Sequence, residues 1–366
     1  MRIQFLIFPI IVLLVVIYIY YRIWHILPVS HFSKWLITIV LLLPVALFFG
    51  YMSYRSENSS YWFNQIVSIV STSWMIILLY LFMTFLVIDI ARLFIPAMRP
   101  WFVNNLYGTI GVTIFMLVTF IGGNLWYHHK VRVPLNIQID KPLKPIKIIG
   151  ISDLHLGYTI GKNELNGWVN MINAERPDVI LIAGDIIDSN VVPVKQEKMY
   201  EELSRLSATY GVYACLGNHD YYADTEKSES FIKKAGIHLL KDEAVLVNDA
   251  FYVVGRDDRT NDINRQSVAE LTKNLDHNKP ILLMDHQPYH LERAEAAGVD
   301  FQLSGHTHRG QVFPINLVTD MVYEKSWGYL QKGNTHIYVS SGIGLWGGKF
   351  RIGTQSEYLV LEISGK

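Results

Sequence analysis

The chain has 366 residues, 51% of them hydrophobic, and a formal net charge of zero. Zero net charge gives no support for a nucleic-acid-binding protein, whose footprint would be a basic surface. The single cysteine, Cys215, excludes an internal disulfide and leaves the redox compartment undecided. The averages conceal two unlike halves, because the chain is apolar up to about Trp126 and has the composition of a soluble domain beyond it. The second half is long enough for one large α/β domain with a substantial core.

The apolar half contains four segments that are candidates to cross a bilayer. A span needs about 20 apolar residues, which three of the segments supply and the second only just approaches. A cleaved signal peptide is the alternative for the first segment, but its apolar run is too long and has no small-residue cleavage site. Tyrosine and tryptophan cluster at several segment ends, as they do at membrane interfaces. The segments are Ile3–Leu27, Trp35–Tyr51, Ile66–Ile95 and Leu106–Trp126.

The flanking charges barely decide the orientation of these spans. Four spans place the amino terminus and the second half on the same side, and four basic residues lie on each side, which is a tie under the positive-inside rule. The free amino terminus and Lys141, Lys144 and Lys147 favour a cytoplasmic domain. We therefore expect an integral membrane protein, with the side of the membrane and the oligomeric state left open. Asp89 and Arg92 are interpreted as an interfacial ion pair.

The second half alternates strands and helices from Ile146 onward, which predicts an α/β domain. Its central strand is Val179–Ala183, an apolar run ended by Gly184 that is typical of a strand buried on both faces of a parallel sheet. The predicted organisation is a transmembrane region at 1–129, a linker with an edge strand at 130–145, and the domain at 146–366. The other predicted strands are Ile146–Ser152, Val212–Leu216, Val245–Val247, Phe251–Val254, Ile281–Met284, Phe301–Leu303, His336–Ser340 and Tyr358–Ile363. The predicted helices are Asn163–Glu175, Gln196–Ser207, Glu226–Ala235, Gln266–Asn274 and Leu291–Ala297.

Polar side chains follow five of these strands, at the point where each strand ends. Ligands in open α/β folds collect beyond the carboxyl ends of strands, so we expect the five sets to converge on one crevice. An unpaired buried carboxylate costs several kcal/mol, and Asp185 at the end of the central strand therefore indicates a cation. Carboxylates, imidazoles and one carboxamide suit Mn, Fe or Zn rather than a structural zinc site. The sets are Asp153 and His155; Asp185; Asn218, His219 and Asp220; Asp285 and His286; and His306 and His308.

These motifs, in this order, resemble the calcineurin-like metallophosphoesterase superfamily over about residues 146–363. The resemblance implies a calcineurin-like metallophosphoesterase α/β sandwich that follows the transmembrane helices. It implies that His219 contacts the phosphate or protonates the leaving oxygen, and we expect Asp220 to orient that imidazole. It also implies two divalent metal ions that share Asp185. One ion would be held by Asp153, His155, Asp185 and His308, and the other by Asp185, Asn218, His286 and His306.

The expected activity is that of a metal-dependent phosphoric ester hydrolase. Two cations about 3.5–4 Å apart can share a hydroxide and stabilise both the attacking and the leaving oxygen. The membrane-anchored start and the segments Arg309–Pro314 and Ser341–Gly348 resemble a bacterial membrane-associated subgroup, which implies the bacterial cytoplasmic membrane. Some members of the wider group cleave the pyrophosphate of a UDP-linked diacylated glucosamine. We therefore expect a phosphoester or pyrophosphate substrate, favour an amphiphilic one, and expect contact with membrane lipids. The alternatives are a phosphatase for phosphoproteins or soluble nucleotides, and a catalytically silent membrane sensor.

Three features of the second half are open to two interpretations. Asp188 is interpreted as a helix-terminal or supporting residue, with direct metal ligation as the alternative. The charged segment Arg256–Asn264 is either a solvated loop or a wall of the substrate pocket. Leu345 and Trp346, which lie between glycines, either pack in the interior or form an apolar lip for an acyl chain or the bilayer.

Overall fold

The computed structural model describes residues 4–53, 60–261 and 263–366, with side chains from residue 12 to 50 and from 60 onward except 262. The chain forms two compact units, Met1–Leu125 and Trp126–Lys366. The predicted domain limits at 129 and 145 stay predictions.

The first unit is helical. Three helices of the part of the chain that the structure describes are long and apolar enough to cross a membrane, over His31–Gly50, Tyr61–Phe94 and Leu106–His128. They correspond to the last three predicted spans. The first predicted span is also helical, but its side chains are described only from Val12 onward, and its crossing of the membrane stays a prediction. The helices are α1 (Gln4–Ile26), α2 (His31–Ser53), α3 (Tyr61–Phe94), a 3₁₀ helix (Pro96–Phe102) and α4 (Leu106–His128).

Asp89 of α3 lies at the centre of a small polar cluster in this unit. Nη1 of Arg92 donates to Asp89 Oδ1 at 2.9 Å, which is the predicted pair. Nη2 of Arg22 lies 3.1 Å from the same oxygen, and the Tyr18 hydroxyl donates to Oδ2 at 2.7 Å. Arg22 and Tyr18 belong to α1. The predicted Asp89–Arg92 pair is therefore part of a cluster that joins α3 to α1.

The described residues of the second unit form twelve strands in two six-stranded sheets. The first sheet has the order β1-β12-β2-β3-β4-β5, in which only β12 and β2 pair antiparallel. The second has the order β10-β11-β9-β8-β7-β6, in which the two outer pairs are antiparallel. The strands are β1 (Lys130–Ile139), β2 (Ile146–Ile151), β3 (Val179–Ala183), β4 (Val212–Cys215), β5 (His238–Leu239), β6 (Glu243–Val247), β7 (Phe251–Gly255), β8 (Ile281–Met284), β9 (Phe301–Ser304), β10 (Gly328–Lys332), β11 (Thr335–Val339) and β12 (Ser356–Gly365).

Helices cover the outer faces of both sheets, which gives a four-layer α/β sandwich. One buried cluster lies between the sheets and contains residues of both, such as Leu181 and Leu303. A second joins the first sheet to its helices through Trp168 and Phe231, and a third joins the second sheet to its helices through Leu271. The helices are α5 (Lys162–Ala174), α6 (Val192–Gln196), α7 (Tyr200–Leu203), α8 (Asn218–Tyr222), α9 (Thr225–Lys234), α10 (Val268–Thr272), α11 (Glu292–Ala296) and α12 (Ile315–Val322), with 3₁₀ turns at Arg259–Asn261 and His308–Gly310.

The predicted strands are present, and one predicted helix differs. Instead of one helix over Gln196–Ser207 the structure has α6, which ends at Gln196, and the short helix α7, because Lys198 between them has a φ of 51° that no right-handed helix accommodates. Four elements were not predicted, namely α8, α12, β5 and β10. The Val245–Val247 and Phe251–Val254 hairpin is confirmed, since β6 and β7 pair antiparallel.

Candidate metal centre

The candidate ligands lie just beyond the carboxyl ends of strands from both sheets. Strands β2, β3 and β4 of the first sheet end immediately before the segments that carry Asp153, Asp185 and Asn218. Strands β8 and β9 of the second sheet end just before His286 and His306. The parallel direction of β2, β3 and β4, and of β8 and β9, brings these ends to one edge of each sheet. The predicted convergence at strand ends therefore has a simple topological origin.

One half of the site contains Asp153, His155 and His308. Their ligand-type atoms all lie within 4.8 Å of one another. Nε2 of His155 is 3.0 Å from Nε2 of His308, which in turn lies 3.5 Å from Asp153 Oδ1. Asp153 is fixed from the protein side, since the backbone N–H of His306 donates to its Oδ1 at 3.0 Å and the Ser152 hydroxyl donates to its Oδ2. The free edges of all three side chains thus face the same space.

The other half contains Asp185, His286, His306 and Asn218. Nε2 of His286 lies 3.2 Å from Asp185 Oδ2 and has no hydrogen-bond partner although it is buried. Its Nδ1 lies 2.7 Å from the carbonyl oxygen of Ala183, to which it donates, so the lone pair of the neutral ring is on Nε2. Nδ1 of His306 lies 2.8 Å from Asn218 Oδ1. A buried nitrogen without a hydrogen-bond partner, such as Nε2 of His286, is suited to bind a metal ion.

His219 lies beside the cluster, with its ring centroid 4.6 Å from that of His155. Its Nδ1 is 3.1 Å from Asp188 Oδ1 and 3.2 Å from the Ser189 hydroxyl. Burial lowers the pKa of His219, but the hydrogen bond to Asp188 and the charge of Asp185 outweigh it and raise the pKa above its ordinary value. Asp188, which we had interpreted as a supporting residue, is therefore the carboxylate that orients this imidazole.

The expectation that Asp220 orients His219 is wrong. The Asp220 carboxylate instead accepts hydrogen bonds from three backbone N–H groups, those of Gly217, Ile186 and Ile187. The physical reason is helical geometry: Asp220 follows His219 within α8, and adjacent residues of a helix do not face each other. Asp220 thus ties the start of α8 to the turn after β3, and holds both candidate ligands Asp185 and Asn218 in place.

The site concentrates negative charge, and its carboxylates form ion pairs with histidines rather than with lysine or arginine. Asp153 and Asp185 are buried and Asp188 is half-buried, and no lysine or arginine of the described residues forms an ion pair with any of them. Burial lowers the pKa of His286, yet the charges of Asp185 and Asp153 raise it well above its ordinary value. Because the electrostatic environment favours a positive charge even on a fully buried histidine, it also favours a bound cation.

Five of the seven candidate ligands have a backbone conformation that L-residues seldom adopt. Asp153, His155, Asp185, His306 and His308 all have φ between 45° and 70°. Each such residue costs of order 1–3 kcal/mol and persists only where the surroundings enforce it. Gly217 shows one such constraint, since a Cβ there would lie 2.2 Å from Asp185 Oδ1. Strain concentrated on these residues is typical of a preorganised binding site.

The charged segment Arg256–Asn264 is partly buried rather than a solvated loop. Arg256 and Arg265 both form ion pairs with Asp285, the residue before His286. This pairing was not predictable from sequence, because the partners come from separate segments. Arg259 is exposed, and its guanidinium lies 4.4 Å from the centroid of the Tyr289 ring.

Tyr289 connects this arginine to the metal cluster. Its hydroxyl is 3.0 Å from that of Tyr323, whose ring centroid is 6.2 Å from that of His306. The segment therefore reaches His306 through Tyr289 and Tyr323, and its interpretation as a wall of the substrate pocket stays a prediction.

The glycine-rich segment Ser341–Gly348 lies against Asp153. The N–H groups of Ile343 and Gly344 donate to the carbonyl oxygens of Ser152 and Asp153, each at 3.1 Å. Leu345 is fully buried and therefore has a packing role, whereas Trp346 is 41% exposed. Leu345 and Trp346, which were interpreted together, thus have different environments.

A buried arginine that sequence analysis missed holds this segment in place. The Arg351 guanidinium donates to the carbonyl oxygens of Ser341, Gly344 and His308 at 2.6, 2.9 and 2.7 Å. It is only 1% exposed. A lone arginine after a glycine-rich stretch carries no pattern that predicts such a role.

All seven predicted ligands thus form one connected cluster with His219 beside it, and their roles as ligands stay a prediction. The donor set fits divalent metal ions, because it offers carboxylate oxygens and imidazole nitrogens in groups of three that lie within 4.8 Å of one another.

Comparison with known proteins agrees with this description. Residues 146–310 match the family model for calcineurin-like phosphoesterases. A metallophosphoesterase of Helicobacter pylori strain J99 is 33% identical over 285 residues, which cover 75% of this chain and 74% of that protein. A zebrafish transmembrane protein with a metallophosphoesterase domain is 31% identical over 62% of this chain and 55% of its own length. The phosphodiesterase YaeI of Escherichia coli K12 is 29% identical over 60% of this chain and 82% of its own length.

The similarity to the H. pylori protein extends over most of both chains, and the apolar helices and the relatives named as transmembrane proteins indicate membrane association. The chain belongs to the calcineurin-like phosphoesterase family, and it is a metal-dependent phosphoric ester hydrolase.

Proposed function

We propose that the protein uses two metal ions to hydrolyse a phosphoester or pyrophosphate bond of an amphiphilic, lipid-linked substrate. The observation that carries the two-metal part is the position of Asp185. Its Oδ2 lies 3.6 Å from His155 Nε2 on one side and 3.2 Å from His286 Nε2 on the other. A carboxylate flanked by two sets of imidazoles is suited to serve two cations at once.

The two ligand sets are those that the resemblance to the family implies. Asp153, His155, Asp185 and His308 would hold one ion, and Asp185, Asn218, His286 and His306 the other. Both sets mix oxygen and nitrogen donors, which suits Mn, Fe or Zn. When bound, two such ions supply Lewis-acid polarisation of the phosphoryl group and activation of water as the nucleophile.

His219 is the candidate proton donor to the leaving oxygen. Its Nδ1 faces Asp188 and Ser189, so its Nε2 is the nitrogen left to meet a substrate. The raised pKa favours the protonated ring, which a general acid requires. Asp188 acts on the reaction through His219 and is a positioning residue.

The surroundings of the cluster support an amphiphilic substrate with more than one anionic group. Arg259 is an exposed cation that forms no ion pair among the described residues, on the side of the site where Tyr323 contacts His306. A pyrophosphate would present a second charge to such a residue. A soluble substrate requires no membrane anchor, whereas the first unit has three helices apolar enough to span a bilayer.

A substrate screen of the full-length protein in phospholipid nanodiscs tests the proposal. The protein would be loaded separately with Mn²⁺, Fe²⁺ or Zn²⁺ and assayed with p-nitrophenyl phosphate, a chromogenic phosphodiester, 5′-nucleotides, a phosphopeptide and a UDP-linked diacylated glucosamine. We expect the highest kcat/KM for the acylated pyrophosphate, and none for the Asp185→Asn variant.

The rivals give different results in this screen. A higher kcat/KM for 5′-nucleotides or the phosphopeptide would establish the soluble-substrate phosphatase instead. Full metal loading without hydrolysis of any of these compounds would favour a silent sensor.

A further inference from the structure

Helix α12 exposes its apolar side to solvent and turns its polar side toward the domain. Four aliphatic side chains of this eight-residue helix point to solvent, since Leu317, Val318, Met321 and Val322 are 50, 54, 86 and 58% exposed. An ordinary surface helix buries its apolar stripe and exposes its polar one. A large exposed apolar patch on a soluble domain marks an interaction surface.

The polar stripe of α12 faces the domain. Asn316, Thr319 and Tyr323 recur at helical spacing and are all half-buried. The Tyr323 hydroxyl is 3.0 Å from that of Tyr289, and Asp320 accepts a hydrogen bond from the Ser326 hydroxyl. The helix is therefore held in this orientation by its own polar contacts, which leaves the aliphatic side outward.

The start of α12 is fixed to the turn that carries His308. Gly310 allows this contact, because it has a φ of 70° and a Cβ there would lie 2.4 Å from the backbone nitrogen of Asn316. The N–H of Phe313 donates to the carbonyl oxygen of Ile352 at 2.7 Å, and the Gln311 side chain donates to that of Gly348 at 3.0 Å. The apolar side of α12 is thus rigidly connected to the candidate metal centre and to the segment that contains Trp346.

Thr354, which follows this segment in the chain, contacts the last turn of a helix that is apolar enough to span a membrane. Trp126 lies in the last turn of α4, and its indole N–H donates to the carbonyl oxygen of Thr354 at 2.8 Å. The Thr354 hydroxyl in turn donates to the carbonyl oxygen of Gln311, two residues before Phe313. Tryptophan at the end of a span typically lies at the membrane–water interface. A short chain of hydrogen bonds therefore leads from this interface to the start of α12.

We propose that α12 and Trp346 form a lipid-binding surface that inserts shallowly into the bilayer beside the crevice. The exposed side of the helix is aliphatic, its one charged residue is engaged by Ser326, and such a surface suits acyl chains better than a charged protein partner. Interfacial helices insert to about 5–10 Å. The inference does not depend on which phosphoester is cleaved.

The test uses site-specific fluorescence in the full-length protein. Cys215 is buried, so a Met321→Cys variant accepts an environment-sensitive NBD label on one accessible thiol. The protein would be reconstituted in phosphatidylcholine nanodiscs that contain lipids spin-labelled either near the headgroup or near the bilayer centre. Leu246→Cys, on the exposed face of the edge strand β6, is the matched aliphatic control.

We expect blue-shifted emission at position 321 that the shallow spin label quenches more strongly than the deep one, and water-like emission at position 246. Adding Leu317→Asp and Val322→Asp should abolish the quenching at 321, because they remove the apolar surface. Water-like emission at 321 would overturn the proposal. Blue-shifted emission without lipid quenching would also overturn it, since a protein surface would then cover the helix. If quenching persists after the double substitution, the NBD label itself binds lipid, and the proposal is overturned.

Discussion

His155 and His308, 153 residues apart in the chain, face each other with their Nε2 atoms 3.0 Å apart. Both have a buried Nδ1 without a hydrogen-bond partner. Two nitrogen ligands that are each about 2.1 Å from one metal ion are about 3 Å apart when they subtend a right angle. Burial lowers the pKa of His308 well below its ordinary value, which favours a neutral ring with a nitrogen lone pair that can bind a metal ion.

The first prediction concerns Asp185. Asp185→Asn should abolish hydrolysis and weaken the retention of both metals, because one carboxylate faces both histidine groups. The measurement is elemental analysis of purified protein together with the phosphodiesterase rate. Asp249→Asn is the control, since that carboxylate is 86% exposed and pairs only with Lys279. Two tightly held metals in the Asp185 variant would contradict the shared position.

A second prediction separates His219 from the metal ligands. His219→Ala should lower turnover by about 10²–10⁴-fold, as expected for loss of a general acid, and should leave the metal content unchanged. Asp188→Asn should have a smaller effect on turnover but should alter the pH–rate profile. Because the Asp188 carboxylate raises the pKa of His219, its neutralisation lowers that pKa. The rate should therefore begin to fall at a lower pH on the alkaline side.

Two outcomes would contradict these assignments. If metal content falls together with activity in His219→Ala, His219 is a ligand. If Asp188→Asn lowers the rate equally at every pH, Asp188 has a structural role only.

The third prediction concerns Arg351, whose guanidinium satisfies three backbone carbonyl groups. Arg351→Met leaves the carbonyl oxygens of Ser341 and Gly344 without a donor among the described residues, whereas the carbonyl oxygen of His308 still accepts from the N–H of Gln311. Each buried unsatisfied group costs about 1–3 kcal/mol, so we expect at least about 2 kcal/mol less stability. Thermal unfolding of the variant measures this, with exposed Arg293→Met as the control. An unchanged Tm would show that another group replaces the guanidinium.

The strand ends were predictable because the chemistry there is local: an apolar run followed at once by a carboxylate or imidazole identifies both the strand and the ligand. The contacts that failed to be predicted join distant segments. Asp188 reaches His219 across 31 residues, and Arg351 reaches His308 across 43. Asp220 was misassigned because proximity in sequence was taken for proximity in space. Helix α12 was missed although its aliphatic residues recur at helical spacing. The exposure of its apolar side was not predictable, because a surface helix ordinarily buries that side.

A fourth prediction uses the buried Lys130 at the start of β1. Its Nζ lies 3.6 Å from the Tyr127 ring centroid, and burial lowers the pKa of Lys130 from 10.5 to about 7. Between these two values the unfolded chain binds one more proton than the folded protein, so the free energy of unfolding rises with pH by about 1.4 kcal/mol per unit. Lys130→Met removes this dependence.

The stability difference between Lys130→Met and the parent protein should therefore shift in favour of the parent as the pH rises from 7 to 10. Unfolding curves at several pH values in this range provide the measurement. Lys144→Met, at an exposed lysine, should show a constant difference. A constant difference for Lys130→Met as well would mean that Lys130 stays charged in the folded state.

The last prediction concerns Arg259, which stacks on Tyr289 and has no ion-pair partner among the described residues. If it binds an anionic group of the substrate remote from the reacting bond, the interaction is equal in the ground and transition states. Arg259→Ala should then raise KM about tenfold with kcat unchanged, and this effect corresponds to about 1.4 kcal/mol. Arg259→Lys should recover part of the loss, because lysine keeps the charge but not the planar stacking. The exposed Arg293→Ala variant should behave as the parent protein. A fall in kcat at constant KM would instead place the guanidinium on the reacting phosphoryl group.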